Sequence, residues 1–326
     1  MSKTHAWLSR RNFLSLSAMT VAGSTITSGR PLEASQRQLT APAKPSDSLR
    51  ILHLTDIHIR PEEQAAQRCE RLLAEAICQA GDFQLVLNGG DSVYAVDYDN
   101  ITRERVLEQW ELWDRCVVKP LGGKRMLSAL GNHDMWWAAP SNTHDMYGKQ
   151  YALDRLGQNN RYLSTVESGW LILVLDGNNS GLLDEEQLTW FHQQLREHAE
   201  LPVLVMSHQP ILFAQHLFQT GMSKRQHQII DPVVDWKLQA RPVYFISGHE
   251  HMLDQISYAN VTFLCNGAFS GAWWEYSLQK KDMYEGNNSV AGTPMGYAII
   301  DLNSDGTLNN QYIETTDCRD GQLLPV

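Results

Sequence analysis

With 326 residues and 43% apolar content, the chain can bury a full core, and its formal net charge of −10 argues against a nucleic-acid binder, which carries a basic face. No stretch is long and apolar enough to serve as a mature membrane-spanning helix, which needs about 20 such residues. The five cysteines (Cys69, Cys78, Cys116, Cys265 and Cys318) are odd in number and lack CxxC spacing. They predict mostly buried free thiols rather than a disulfide framework or a thiolate zinc site, with room for one disulfide in an exported protein.

Residues 1–34 read as an address rather than as structure. The element Ser9-Arg10-Arg11-Asn12-Phe13-Leu14 precedes a weakly apolar stretch, rich in Ser and Thr, that runs to about Ile26. This resembles the twin-arginine export signal of bacteria. The resemblance implies the twin-arginine export machinery as a partner, a periplasmic or secreted location, and metals loaded before transit of the folded chain. Leu32-Glu33-Ala34 is the candidate cleavage region, and no cysteine follows to carry a lipid, so no stable membrane anchor is expected. Losing residues 1–34 removes four positive charges and one negative, which takes the net charge from −10 to −13. A linker is expected over residues 35–48, with Pro42 and Pro45, then one catalytic domain over 49–318 and a tail over 319–326.

Apolar runs of strand length follow at Ile51–Leu54, Leu85–Leu87, Met126–Leu130, Leu171–Leu175, Val203–Met206 and Val243–Ile246. Helical spacing occupies Glu62–Ala80, Thr102–Val118 and Asp184–His198, the last with Asp184 as cap and Gln187 as its reciprocal partner. Short strands are expected at Gln255–Tyr258, Val261–Cys265, Tyr297–Leu302 and Leu308–Glu314, the last two separated by an Asn303-Ser304-Asp305-Gly306 turn. The pattern is α/β first and mainly β later. In such sheets functional residues gather at the carboxyl ends of strands.

Five polar segments sit at those ends: Asp56-Ile57-His58, Gly89-Gly90-Asp91, Gly131-Asn132-His133-Asp134, Ser207-His208-Gln209-Pro210 and Gly248-His249-Glu250-His251. They offer carboxylates, imidazoles and an amide oxygen, with glycines that let backbone approach closely. Mixed nitrogen and oxygen donors without thiolate suit Fe, Mn or Zn. Two metals about 3.5–4 Å apart, bridged by a carboxylate, favour in-line phosphoryl displacement.

The order DxH, GD, GNHD, H and GHxH over residues 50–251 resembles the calcineurin-like metallophosphoesterase superfamily. The resemblance implies a four-layer α/β/β/α sandwich, two facing mixed sheets flanked by helices. It implies one metal held by Asp56, His58, Asp91 and His251, and a second held by Asp91, Asn132, His208 and His249, with Asp91 shared. His208 takes the ligand place because His208-Gln209-Pro210 keeps the family's H-x-P spacing. By the same resemblance a metal-bridging hydroxide attacks phosphorus, His133 faces substrate and protonates the leaving oxygen, and Asp134 orients the His133 ring. The expected substrate is a small phosphoester, with a diester favoured. The alternative is an exported phosphomonoesterase resembling acid phosphatases, and a weaker one is a metal-binding relative without catalysis. The acidic chain disfavours a nuclease, and oligomeric state stays open.

Several residues carry two readings. Tyr94, three after Asp91, stands where purple acid phosphatases bind ferric iron, but the presence of His58 favours a place beside the ligands or the substrate. The pairs Trp136-Trp137 and Trp273-Trp274 read either as packing or as an aromatic wall for a sugar or base. His53 is expected to be a satisfied core residue, and His144 and His216 bystanders.

Overall fold

The computed structural model describes residues 48–178, 182–235, 241–271, 273–274 and 294–315, together with the short paired strands Cys318–Arg319 and Gln322–Leu323. The expected export signal, the linker up to residue 47 and most of the tail lie outside the described residues.

One sheet contains β1 (Leu49–Leu54), β2 (Leu85–Asn88) and β3 (Arg125–Ser128), all parallel, with β10 (Gly296–Leu302) and β11 (Leu308–Glu314) added antiparallel on the β1 side. The other runs β4 (Leu163–Glu167), β5 (Trp170–Val174), β6 (Val203–Met206), β7 (Val243–Ser247), β9 (Val261–Cys265) and β8 (Asp254–Tyr258). Its inner strands β5, β6, β7 and β9 are parallel, and its edges β4 and β8 are antiparallel.

Strand alternation sorts the side chains into three cores. Ile51, Leu85 and Leu87 pack against Trp170, Ile172, Leu204 and Met206 of the opposite sheet. Their neighbours Leu52, Leu54 and Val86 face outward onto Leu72, Leu73 and Ala76 of α1 (Glu63–Ala80) and Trp110 and Trp113 of α2 (Arg103–Trp113). On the far side Leu171, Leu173, Val205 and Phe245 pack on Leu188, Phe191 and Leu195 of α4 (Glu185–Glu197). Helix, sheet, sheet and helix layers result, the expected sandwich. Because central strands are buried on both faces, they read as unbroken apolar runs.

Several expectations change in detail. The third strand ends at Ser128, so Ala129 and Leu130 already belong to the loop that carries the GNHD segment. Helix α2 continues through a π-helical turn, Asp114–Val118. Asp184 caps α4 by accepting from the Gln187 backbone N–H at 2.9 Å, but the Gln187 side chain does not return the contact. It binds the backbone of Asp176 instead, accepting from the N–H at 2.8 Å and donating to the carbonyl at 2.9 Å. The buried strand end there offers two unmet backbone groups, a stronger pull than an exposed helix start. No periodic pattern in the sequence marks α3 (Gly148–Arg155), β4, α5 (Ala214–Thr220) or α6 (Lys224–Ile230); all are short or weakly periodic.

Cys69, Cys116 and Cys265 are buried free thiols, Cys78 is exposed, and the Cys318 side chain lies outside the described residues. His53 is buried and only half satisfied. Asn266 Nδ2 donates to its Nδ1 at 2.9 Å, while Nε2 has no partner among the described residues. Burial lowers its pKa to about 4, so it is neutral.

Candidate metal centre

All seven candidate ligands leave the carboxyl ends of parallel strands: Asp56 and His58 after β1, Asp91 after β2, Asn132 after β3, His208 after β6, and His249 and His251 after β7. Face-to-face sheets bring the two groups of loops to one edge. Asp56, His58 and His251 form one cluster, and Asp91, His208 and His249 a second, with ligand atoms in each within 4.8 Å of one another. Asp91 Oδ2 lies 3.6 Å from His58 Nε2 and 3.2 Å from His208 Nε2, so one carboxylate oxygen faces both clusters. Asn132 Oδ1, 3.1 Å from His208 Nε2, joins the second.

The histidine tautomers test whether cations fit. Nδ1 of His58, His208 and His251 lies 3.3, 2.9 and 3.0 Å from the carbonyl oxygens of Tyr94, Gly89 and Gly271. A carbonyl only accepts, so each Nδ1 carries hydrogen and the neutral ring turns the Nε2 lone pair inward. Yet His58 Nε2 and His251 Nε2 stand 3.1 Å apart, and His208 Nε2 stands 3.2 Å from His249 Nδ1. Facing lone pairs at that distance need a proton or a cation between them.

The electrostatics agree. Burial opposes charging His208, but the Asp91 carboxylate overcomes it and raises the ring to about 9. His251 is likewise raised against burial by Asp56, whereas burial lowers its neighbour His58 to about 3 and lowers His249 to about 4. Burial would also push Asp56 and Asp91 up, but the histidine charges hold both well below the usual carboxylate range. In each cluster a carboxylate thus favours positive charge on one ring, at the place where a cation would sit. The donor set fits two cations.

The backbone is strained at these positions. Asp56, His58, Asp91, His249 and His251 have φ of 53, 45, 50, 70 and 52°. Left-handed backbone costs an L-residue roughly 1–2 kcal/mol, and persists only where surroundings over-determine it. Here the Asp56 N–H donates to the Gly90 carbonyl at 3.0 Å and the His58 N–H to the Asp91 carbonyl at 2.9 Å. The Asp56 carboxylate in turn accepts from the Thr55 hydroxyl at 2.7 Å and the His249 N–H at 2.9 Å.

Two glycines are required by close approach. A Cβ on Gly131 would lie 2.1 Å from Asp91 Oδ1, and one on Gly248 would lie 2.2 Å from Asp56 Oδ2 and 1.9 Å from Thr55 Oγ1. Gly248→Ala is expected to cost about 1–3 kcal/mol, as overpacking does, and to displace the Asp56 carboxylate. Thermal denaturation and metal analysis of the variant check this; wild-type metal content at unchanged Tm would refute it.

The model of the family described as calcineurin-like phosphoesterase matches residues 49–253, well over half of the chain. The chain belongs to the calcineurin-like phosphoesterase family. It is a hydrolase of phosphoesters, and the family binds two divalent metals, for which the two clusters are the candidate sites. No curated protein matches the chain. Among solved structures it is similar to GAP50, the anchor in the inner membrane complex of Plasmodium, with 15% identity, TM-score 0.49, and 85% of this chain and 87% of that one covered. It is also similar to the phosphopantetheinyl hydrolase of Mycobacterium tuberculosis, with 13% identity, TM-score 0.38, and coverage of 71% and 93%. A third likeness is vacuolar protein sorting 29 of Cryptosporidium parvum, with 13% identity, TM-score 0.33, and coverage of 83% and 99%. None of these likenesses bears on what this phosphoesterase hydrolyses.

Beside the clusters, His133 is half-buried, and its backbone N–H donates to Asp91 Oδ1 at 2.9 Å. Its ring partner corrects the sequence reading. Nδ1 meets Asp97 Oδ1 at 2.6 Å, and Asp97, not Asp134, orients the imidazole. Burial opposes its charged form, but the Asp97 contact and the nearby carboxylates prevail and raise it. Asp134 is fully buried and accepts from the backbone N–H groups of Ser92 (2.8 Å), Val93 (3.3 Å) and Gly131 (2.8 Å), which ties the turn after β2 to the turn after β3. Burial and the Asp91 charge push its carboxyl up to about 7. Asp97 escaped the sequence reading because it lies six residues past Asp91 in an irregular loop, and no local spacing marks it.

The tryptophan pairs split. Trp136 and Trp274 belong to the core, and Trp274 Nε1 donates to the Ile57 carbonyl at 2.8 Å. Trp137 is 43% exposed and rests on Gly148 and Tyr147. Trp273 stacks on His58 with centroids 3.8 Å apart. The Tyr94 ring lies under the Arg60 guanidinium at 4.4 Å and edge-on to Trp273 at 5.5 Å, beside the ligands. His144 packs on Trp136 and His216 on Phe213.

Proposed function

We propose that this chain is an exported dimetal phosphodiesterase acting on a small phosphodiester. The observation that carries the reading is the single Asp91 oxygen facing both histidine clusters, with His133 held beside it by the same carboxylate. Asp56, His58, Asp91 and His251 would hold one cation. Asp91, Asn132, His208 and His249 would hold the other. The donor types suit Fe, Mn or Zn. When bound, two such cations neutralise phosphoryl charge and acidify the attacking water.

The chain's own part centres on His133. Asp97 takes the Nδ1 hydrogen, so Nε2 carries the transferable proton of the imidazolium. That proton goes to the leaving oxygen, which matters most when the leaving group is a poor alkoxide, as in a diester. Asp134 acts at a distance, by bracing the two turns. Asp97→Asn is expected to lower kcat about 10–100-fold, a part of the roughly 10²–10⁴-fold that a positioned general acid contributes. Because Asp97 raises the His133 pKa, its loss should move the alkaline limb of the pH–rate profile to lower pH. An unmoved limb would remove Asp97 from this role.

The paired arginines Arg10-Arg11 before Phe13-Leu14 support export by the twin-arginine machinery to a periplasmic or secreted location. The deciding assay compares initial rates of the metal-loaded protein on bis(p-nitrophenyl) phosphate and p-nitrophenyl phosphate. A diester rate well above the monoester rate supports the reading. The reverse would make the protein a phosphomonoesterase, and binding of metal without turnover of either would make it a non-catalytic relative.

A further inference from the structure

Trp273 is unusual among the described tryptophans of this chain. Its backbone has φ +59° and its neighbour Trp274 has φ +68°, two successive bulky residues in left-handed conformation. Such geometry survives only when something holds it. Trp274 is the anchor. It is buried, donates from Nε1 to the carbonyls of Ile57 at 2.8 Å and His58 at 3.1 Å, and its own carbonyl accepts from Arg68. The carbonyl of Trp273 accepts from Arg60 Nη1 at 3.2 Å. These ties present the half-buried Trp273 indole over the metal centre instead of sending it into the core.

Around it runs a closed circuit of four rings. Trp273 to Tyr94 is 5.5 Å at 86°, Tyr94 to Tyr98 is 6.3 Å at 72°, Tyr98 to His133 is 6.2 Å at 78°, and His133 to Trp273 is 5.0 Å at 85°. One member of the circuit is the residue that meets the leaving oxygen. A group carried by that oxygen would sit beside His133, whose neighbours in the circuit are Trp273 and Tyr98, with Tyr94 packed behind both. Tyr98 is 46% exposed, so the circuit opens to solvent on its side. Indole and phenol rings offer faces and edges to a planar π-system, and stacking on them is worth more than contact with an alkyl chain.

We infer that Trp273, Tyr98 and Tyr94 form the leaving-group subsite of this phosphoesterase, and that it takes esters whose leaving group bears a planar aromatic ring, a nucleoside or an aryl group, over glycerol or other alkyl esters. This rests on the phosphoester-hydrolysis reading and on the His133 role proposed above.

The test uses metal-loaded full-length protein with Trp273→Ala and, since Tyr98 is exposed and dispensable to the core, Tyr98→Ala. Substrates are thymidine 5′-(p-nitrophenyl phosphate) and glycerophosphocholine. The aryl-to-alkyl ratio of kcat/KM should fall about tenfold or more in each variant, carried by KM, with metal content unchanged. Equilibrium binding of phenylphosphonate and propylphosphonate, whose C–P bonds are not hydrolysed, to the same proteins reads the subsite without turnover. Wild type should bind the phenyl compound at least tenfold tighter, and both variants should lose that margin. An unaltered ratio in both variants, or a wild-type protein with no preference in binding, overturns the subsite. Loss of metal in step with loss of both activities in Trp273→Ala, with an unaltered ratio in Tyr98→Ala, would make the tryptophan a brace for His58 and also overturn it. If wild type hydrolyses neither ester yet binds phenylphosphonate selectively, the hydrolytic reading fails and the aromatic subsite stands.

Discussion

His133→Ala should lower kcat by about 10²–10⁴-fold, the usual contribution of a positioned general acid, while two metals per chain remain bound. The imidazole belongs to neither ligand cluster; its Nδ1 meets Asp97, which leaves Nε2 for the substrate. Truncating the ring therefore leaves the donor set intact. The loss should also depend on the leaving group. p-Nitrophenolate departs without much help, so the penalty on bis(p-nitrophenyl) phosphate should sit at the low end, and that on an alkyl diester at the high end. Steady-state kinetics on both ester types, with metal analysis of the same preparation, decides the matter. Parallel loss of metal and rate, or a penalty independent of leaving group, would make His133 a structural residue.

Asp91→Ala should be more severe. Its Oδ2 is the one oxygen within reach of both His58 and His208, and its Oδ1 holds the turn that carries His133. Metal content should fall below one ion per chain, and the rate should fall by about 10³-fold or more. That corresponds to roughly 4 kcal/mol of lost charge stabilisation. In metal-free protein the His208 pKa should also fall, since Asp91 is the main group that raises it against burial. Asp91→Asn serves as the control for shape: it keeps volume and one donor oxygen but removes the charge. Retention of both metals in Asp91→Asn would show that charge is not what the shared position supplies.

Much of this site was legible in the sequence, and the reason is topological. A parallel strand buried on both faces must be an apolar run, and the polar residues that follow it must sit at the sheet edge. The five polar segments could therefore be placed at strand ends from the sequence, and the family resemblance picked out Asp56, His58, Asp91, Asn132, His208, His249 and His251 within them. Gly131 and Gly248 were legible for a related reason, since close backbone approach leaves glycine as the residue that fits.

Local period and residue type determined the alternating elements, the polar strand ends and the capped helix from Asp184, and the resemblance of the ordered motifs to a known family added the sandwich. Tertiary structure alone decided which acid faces His133, which tryptophan of each pair enters the core, and where Gln187 spends its amide. Asp134 adjoins His133 in sequence and Asp97 lies 36 residues before it, but Asp134 is consumed by three backbone N–H groups that only the folded turns bring together. Trp273 and Trp274 differ by one position and by no property of composition. Loop closure, which brings residues together irrespective of their spacing along the chain, sends one indole to the Ile57 carbonyl and the other over His58.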